Sequence, residues 1–263
     1  MELFPAIDIR GGKCVRLRQG DYADETVYGD DPVAVARSFA DAGAVWIHTV
    51  DLDAARTGSG ANRAVVAAIA EEVCALNVRV QTGGGVRSLN DIEELLGLGV
   101  ARVIVGTRAV QDPDFVASVA PRFPGQVGVG LDARALADGS YEVAAHGWTA
   151  GTGVELFRLL ARFDDVGVGA VVITEIGRDG MLSGPDVQGL ARALDSSSID
   201  VIASGGVSSL DDLTVLGGLV SARDGRRLAG VIAGKAIYER RFSVVEGVAA
   251  CRMASEIVSN REG

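Results

Sequence analysis

The sequence is poor in the residues that carry most metal, covalent and redox chemistry. Its 263 residues include two histidines, His48 and His146, too few for a multi-histidine metal site. His48 reads as a packing residue of core or rim. No G-x-S-x-G elbow occurs, and no Cys–His spacing suggests a thiol nucleophile. The only lysines, Lys13 and Lys235, leave little room for Schiff-base chemistry on the protein. Cys14, Cys74 and Cys251 are scattered and odd in number, which suits the reducing cytoplasm rather than a disulfide framework. The start, "MELFPAIDIR", lacks the basic and apolar regions of a secretion signal. No apolar run of about 18 residues is free of charge and glycine, so no membrane contact is expected. Aromatics make up 5% of the chain and apolar residues 48%, so burial must come from Val, Ile, Leu and Ala, as in buried parallel sheets. The net charge of −10 argues against nucleic acid as a partner. An anionic ligand would need local backbone N–H groups and a few arginines.

What is present is an alternation. Short Val/Ile-rich runs near 3–8, 45–51, 78–82, 102–106, 126–132, 170–175, 200–204 and 230–234 read as strands. Helical periods fall near 31–42, 60–75, 88–98, 112–121, 152–164, 185–195, 208–219 and 240–258. "SLNDIEELLGLG" shows the grammar: a Ser N-cap, acids in the early turns and a closing Gly. Eight βα units in one chain without a Pro/Ser-rich linker predict an α/β fold, a single (β/α)8 TIM barrel over 1–263. An open doubly wound sheet is the alternative.

The barrel is written as two similar halves. "GGGVRSLND" at Gly83–Asp91 returns as "SGGVSSLDD" at Ser204–Asp212, and Val103–Gly106 returns as Val231–Gly234. Two runs, "AIDIRGG" and "GLDARAL", each end a strand on an aspartate, Asp8 and Asp132. The Gly-Gly pairs are 121 residues apart and the aspartates 124. A four-unit shift in a barrel puts equivalent loops on opposite sides of one mouth, so two similar pockets should face each other across two aspartates.

A Gly-Gly turn between strand and helix lets backbone N–H groups approach phosphate, aided by the helix N-terminus. Gly205, Gly206, Gly234 and the Lys235 amide form one such candidate, with Ser204 beside it; Gly84, Gly85, Gly106 and Thr107 form its twin, followed by Arg87. The plainer reading is that these glycines only make tight corners. Asp8 and Asp132 can divide acid and base work, one protonated and one ionised; the plainer reading is a pair of turn residues. "GVGLDA" (Gly128–Ala133) fits a dinucleotide pattern but lies inside a strand, and "GVIAGKA" has the wrong spacing for a P-loop. No cofactor and no metal is expected. Proton transfer is the chemistry this inventory supports.

The runs "PAIDIRGGKCVRLRQGD", "HTVDLDAA", "QTGGGVRS", "VIVGTRAV", "GLDAR", "HGW", "TEIGRDGMLSGPD", "IASGGVSSLDDL" and "GVIAGKAIYE" together resemble the ProFAR isomerases of histidine biosynthesis, over nearly the whole chain. The resemblance implies a TIM barrel that converts an aminoaldose into an aminoketose by an Amadori rearrangement on a bisphosphorylated small molecule, one phosphate per Gly-Gly corner. It implies Asp132 as general acid on the ribose ring oxygen and Asp8 as general base at C2. Thr174, Asp179 and Gly180 lie in the implied sixth-strand loop, Arg16 and Gln19 in the first, and Trp148 would stack on the imidazole carboxamide. Bifunctional relatives that also act on phosphoribosyl anthranilate carry Arg-Gly-Trp where this chain has His146-Gly147-Trp148, which removes one carboxylate contact. A non-catalytic phosphosugar-binding barrel is the reading from another class, and it would need neither aspartate. A monomer is expected.

Overall fold

The computed structural model describes residues 1–18, 20–145, 148 and 150–259. Twelve strands occur among them: β1 (Glu2–Arg10), β2 (Lys13–Arg18), β3 (Asp21–Gly29), β4 (Trp46–Asp51), β5 (Arg79–Gly83), β6 (Arg102–Val105), β7 (Val127–Ala135), β8 (Tyr141–Ala145), β9 (Ala150–Glu155), β10 (Ala170–Glu175), β11 (Val201–Ser204) and β12 (Gly230–Ala233). Eight of them pair in parallel in the order β10-β11-β12-β1-β4-β5-β6-β7. The pairing of β7 with β10, from Ala170 opposite Gly128 to Glu175 opposite Ala133, closes the ring. The protein is a (β/α)8 barrel, not an open doubly wound sheet.

Alternation along each strand sorts the side chains into two layers. Leu3, Ile7, Ile47, Val80, Val103, Val105, Val127, Val129, Leu131, Val171, Val201 and Val231 face outward and pack beneath the helices. Phe4, Ala6, Trp46, Ile104, Ala170, Val172, Ile202 and Ile232 fill the barrel itself. Phe4 stacks on Trp46 with ring centroids 5.4 Å apart, and the Arg79 and Arg102 guanidiniums lie 4.1 and 4.8 Å from the Trp46 ring. Few aromatics suffice because Val and Ile fill a narrow cylinder in well-defined rotamers.

The predicted strands and helices recur with boundaries moved by a few residues. Two differences matter for the mouth. The strands bearing Asp8 and Asp132 do not end on them. β1 runs on to Arg10 and folds back through β2 and β3; β7 runs on to Ala135 and folds back through β8 and β9. The duplication therefore includes an antiparallel hairpin over each half of the mouth. The helix expected from 152 begins only at Leu156, because Gly153 has φ +69°, residues 150–155 pair with β8, and Glu155 caps the helix by accepting from the Arg158 N–H at 2.8 Å. The first hairpin was illegible because β3 is largely exposed and so lacks an apolar alternation.

The first hairpin's turn is fastened to the loop after β4. The Gly11 N–H donates to Asp53 (2.7 Å) and the Gly12 N–H to Asn62 Oδ1 (3.0 Å), while Asn62 Nδ2 donates to Asp51 and Asp53. Asp51 caps the helix Leu52–Thr57 through the Ala54 N–H. At the Gly-Gly corners the backbone demands glycine for steric reasons as well. Gly84 has φ +98°, and a Cβ there would collide with the Asp51 carbonyl; Gly206 has φ +83°, and a Cβ would collide with the Gly184 carbonyl.

These two costs can be separated. Gly12 has φ +76° with open space around it. Gly12→Ala should cost about 1–2 kcal/mol from backbone strain alone. Gly84→Ala adds a backbone collision and should cost about 3 kcal/mol or more, read as a shift of the urea midpoint. Equal losses would mean that the close approach at Gly84 relaxes freely.

Candidate active site

Inward positions recur every second residue, so the site can be counted from the core. On β1, Phe4 and Ala6 face the barrel interior and Asp8 is the next inward position. On β7 the inward series Gly128, Gly130 ends at Asp132, and on β10 Ala170, Val172 ends at Thr174. Asp132 and Thr174 are paired residues on adjacent strands, and Thr174 is paired in turn with Ser204 of β11. Four of the expected residues thus stand on the top layer of one barrel.

Arg16, on the first hairpin, reaches across the mouth. Its Nη1 donates to Asp8 Oδ2 at 2.5 Å, and its guanidinium lies against Gly234 so closely that a Cβ there would overlap it. Burial works to lower the Arg16 pKa, but the charges of Asp8 and Asp179 outweigh it and the group is held more firmly protonated. Asp179 follows β10 in the loop. Burial pushes its carboxyl up to about 6; Asp8 and Asp132 add to the rise, while Arg16 and the Gly180 N–H oppose it. Burial also raises Asp132, against hydrogen bonds from the Trp148 indole and the Thr174 hydroxyl. The arrangement therefore offers one ion-paired carboxylate and two carboxyls biased toward the protonated form, which is the division that acid–base catalysis requires.

Trp148 has φ +71° and lies against Gly20 of the first hairpin, with Cε3 3.0 Å from where a Gly20 Cβ would stand. The second hairpin thus reaches the first across the mouth, through a ring that also holds Asp132. Lys235 Nζ donates to the Gly180 carbonyl at 2.8 Å, so this lysine ties the eighth unit to the sixth-strand loop. Gln19, His146 and Gly147 lie outside the described residues.

The two glycine corners keep their symmetry in detail, with one correction. The helices after them, Leu89–Gly97 and Leu210–Gly217, begin with matching capping boxes, Ser88 with Asp91 and Ser209 with Asp212. Asp91 takes the Arg87 and Ser88 N–H groups, and Asp212 takes those of Ser208 and Ser209. Those helix N-termini are already neutralised by their own carboxylates. The short helices Thr107–Gln111 and Lys235–Tyr238 start from Gly106 and Gly234 with no side-chain cap. The Arg87 guanidinium lies against Gly58, with Nη1 2.5 Å from where a Cβ would be. Arg178, which donates to the Gly184 carbonyl at 3.1 Å, stands at the other corner and was not anticipated. Nor was the placement of His48, whose ring feels the charges of Asp8 and Arg16 from inside the barrel. Its signal was present in the alternation of "WIHTVD", where Trp46, His48 and Val50 share the inward face.

A parallel (β/α)8 barrel with three aspartates, one arginine and a glycine corner on each side of its mouth defines an enzyme of the barrel class working by proton transfer. The chain belongs to the family described as histidine biosynthesis protein, whose sequence model matches residues 2–243. It is 47% identical over 249 residues to a protein of Dinoroseobacter shibae, covering 95% of this chain and 98% of that one. It is 45% identical over 255 residues to one of Bradyrhizobium sp. strain ORS 278, covering 97% and 100%, and 46% identical over 250 residues to one of Sphingopyxis alaskensis, covering 95% and 98%. All three are named 1-(5-phosphoribosyl)-5-((5-phosphoribosylamino)methylideneamino)imidazole-4-carboxamide isomerase.

The raised pKa of Asp179 has a consequence for stability. The folded state binds this proton more tightly than the unfolded chain, so the stabilisation is full below the ordinary value of 3.8 and lost as pH rises through about 6. Asp179→Asn, neutral at every pH, should therefore gain about 2–3 kcal/mol on wild type between about pH 4 and pH 7. Urea unfolding of both proteins at the two pH values measures this. A constant difference would mean that Arg16 keeps Asp179 ionised throughout.

Proposed function

We propose that this chain is the isomerase that its relatives are named for: it converts the phosphoribosylamino aldose of the imidazole carboxamide ribotide into its ketose by an Amadori rearrangement, within histidine biosynthesis. The observation that carries the reading is the mouth itself, with Asp8 ion-paired to Arg16 opposite two buried carboxyls of raised pKa.

The reaction needs one acid and one base and no net change of atoms. A carboxylic acid protonates the ribose ring oxygen as the C1–O bond breaks, giving a protonated Schiff base. A carboxylate then removes the C2 proton, and the resulting enol returns as the ketone. Asp8 is the base. For the acid, Asp179 is favoured over the Asp132 expected from the sequence. Its pKa of about 6 leaves about a tenth of it protonated at pH 7, far more than an ordinary carboxyl, although the Arg16 charge and one backbone N–H oppose the rise. Asp132 accepts from both Trp148 and Thr174, which support its ionised form, and so orients these groups against the substrate. Trp148 closes on the planar imidazole from the second hairpin.

The two phosphates take the two corners. Gly85 with Gly106 and Thr107, and Gly206 with Gly234 and Lys235, supply uncapped backbone N–H groups. Arg16 beside Gly234 adds a charge at the second corner, and Ser204, Gly84, Gly205 and Gly180 shape the floor and walls. The reading carries one barrel domain working as a monomer in the reducing cytoplasm, without a cofactor.

Asp8→Asn and Asp179→Asn should each lower kcat by about 10²–10⁴, the scale of a lost base or acid, with folding kept. Asp132→Asn should lower it by about tenfold, since it loses only an orienting contact. A larger loss at Asp132 than at Asp179 would return the acid role to Asp132. Wild-type turnover in all three would remove these aspartates from the mechanism. A crystal structure with bound bisphosphate product should show one phosphate at each corner; an empty corner would reduce its glycines to turn formers.

A further inference from the structure

The helix Arg63–Cys74 starts from Asn62, yet the Asn62 side chain makes no cap on that helix. An N-cap asparagine ordinarily accepts from its own helix, a bond worth about 1 kcal/mol. Here the amide is turned toward the first hairpin. Its Oδ1 accepts from the Gly12 N–H at 3.0 Å, and its Nδ2 donates to Asp51 Oδ1 at 2.7 Å and to Asp53 Oδ2 at 2.8 Å. The Asn62 backbone N–H donates to the other Asp51 oxygen at 3.1 Å, and Asp53 Oδ2 also takes the Gly11 N–H at 2.7 Å. Asn62 and Asp51 are nearly fully buried. A neutral amide can stand between two carboxylates because its NH2 donates to both while its oxygen is left to accept.

The second half fastens its own hairpin from the same places. The residues 124 positions after Gly11, Asp51 and Asn62 are Ala135, Glu175 and Asp186. Glu175 accepts from the Ala135 N–H at 3.4 Å, and Asp186 is hydrogen-bonded to the Tyr141 hydroxyl of β8. Asp186 nevertheless caps its helix, through the Gly189 N–H at 3.2 Å. Of the two equivalent residues, it is Asn62 that forgoes its cap for the hairpin. The strand pairing shows what that turn controls. β2 pairs with β1 from Lys13 to Val15, and the next residue, Arg16, pairs with Thr26 of β3. β3 is largely exposed and, among the described residues, pairs with β2 alone. Arg16 thus lies just past the last pairing with the barrel, and its direction follows the tilt of the hairpin. That tilt is limited by the Gly11–Gly12 turn and by the Tyr22 hydroxyl, which donates to the Leu52 carbonyl at 2.8 Å on the same segment after β4.

We infer that Asn62 is a positioning residue for the reaction: by bridging Asp51 and Asp53 and taking the Gly12 N–H, it sets the first hairpin so that Arg16 meets Asp8. The inference rests on the isomerase reading for the roles of Asp8 and Arg16. Asn62 touches neither of them. It acts through the turn, and the contact it serves is short, with Arg16 Nη1 2.5 Å from Asp8 Oδ2. A shift of the hairpin by about 1 Å would break that contact, and a misplacement of this size can cost about 10²-fold in rate.

Amide hydrogen exchange read by nuclear magnetic resonance tests the fastening in the wild-type protein. The Gly11 and Gly12 N–H groups should exchange about 10²-fold or more slowly than in an open chain. Open-chain rates at either would overturn the inference whether or not any variant folds. Asn62→Ala should lower kcat/KM for the imidazole carboxamide ribotide about 10- to 100-fold. Arg16→Met should lower it too. Adding Asn62→Ala to Arg16→Met should then change kcat/KM by less than about twofold, because a residue that acts through Arg16 has nothing left to position. A role in stability alone would lower both backgrounds by the same factor, and that result overturns the inference, as does wild-type turnover in Asn62→Ala. Asp53→Ala loosens the same turn from a half-buried position and runs through the same cycle, with the same two outcomes, if Asn62→Ala does not fold. An active wild type with additive variants therefore defeats the inference, whereas a wild type without turnover defeats the isomerase reading on which it rests.

Discussion

The pairing of β7 with β10 is the interaction on which the rest depends. Until those strands meet, the sheet has two edges, and its inner face is merely one side of a layer. Once Gly128 to Ala133 pair with Ala170 to Glu175, the inner face becomes the wall of a closed cylinder. Side chains two apart then stack into layers, and the last inward position of each strand must emerge at the same mouth. Asp8, Asp132 and Thr174 come together because each lies four residues beyond an inward core position, Phe4, Gly128 and Ala170. Gly128 shows how tight the wall is: a Cβ there would stand 2.7 Å from Ile104 Cδ1. A barrel that closes on Val and Ile thus needs glycine at points of close approach, and the 35 glycines of the chain are not only turn formers.

Crowding acids at one mouth is costly, and the fold meets that cost by bringing a cation from outside the barrel. Asp8, Asp132 and Asp179 share a partly dehydrated space where like charges repel strongly. No strand of the barrel supplies the compensating charge. It comes from Arg16 on β2, held over the mouth because the Gly11–Gly12 turn is hydrogen-bonded to Asp53 and Asn62. One guanidinium pairs one carboxylate, and burial biases the other two toward their protonated forms. At Asp179 the raised pKa is therefore a consequence of burial first and of the neighbouring Asp8 and Asp132 charges as well. A carboxyl disposed to give up a proton results from having more carboxyls than cations in the space.

Much of this was legible in the sequence, for identifiable reasons. The βα alternation, both glycine corners and the two aspartates follow from period-two runs, capping serines and repetition, all of which are local. The hairpins were not legible. β3 packs little apolar surface, and in β9 the run Gly151–Gly153 carries no strand signal, so "TGVELFRLL" reads as helix before its start at Leu156. Arg178 was illegible as a site residue because its position depends on how the loop after β10 folds onto the Gly184 carbonyl, whereas the inward position of His48 could be counted from the alternation of "WIHTVD". The helix N-termini at the corners differ from the expected anion sites for a chemical reason. Asp91 and Asp212 looked like ordinary first-turn acids, yet each folds back onto the N–H groups that an anion would otherwise use.

The two halves have diverged where chemistry requires it and not elsewhere. The capping boxes, glycine corners and hairpins remain paired, because each serves the same structural or binding need on its own side. The interior does not. The first half carries His48 and Gln81 in its interior, where the second carries Val172 and Ile202; the second half carries Asp179 in the loop after β10, where the same 124-residue shift falls on Ala55 in the first. A reaction with one acid step and one base step cannot be served by two identical half-sites. The half that holds Asp8 has a polar interior and the Arg16 cation over its mouth. The half that holds Asp179 has an apolar interior, and burial there raises the cost of charge and biases the carboxyl toward its protonated form. The asymmetry of the barrel interior thus gives the carboxyls on the two sides of a symmetric mouth different electrostatic surroundings.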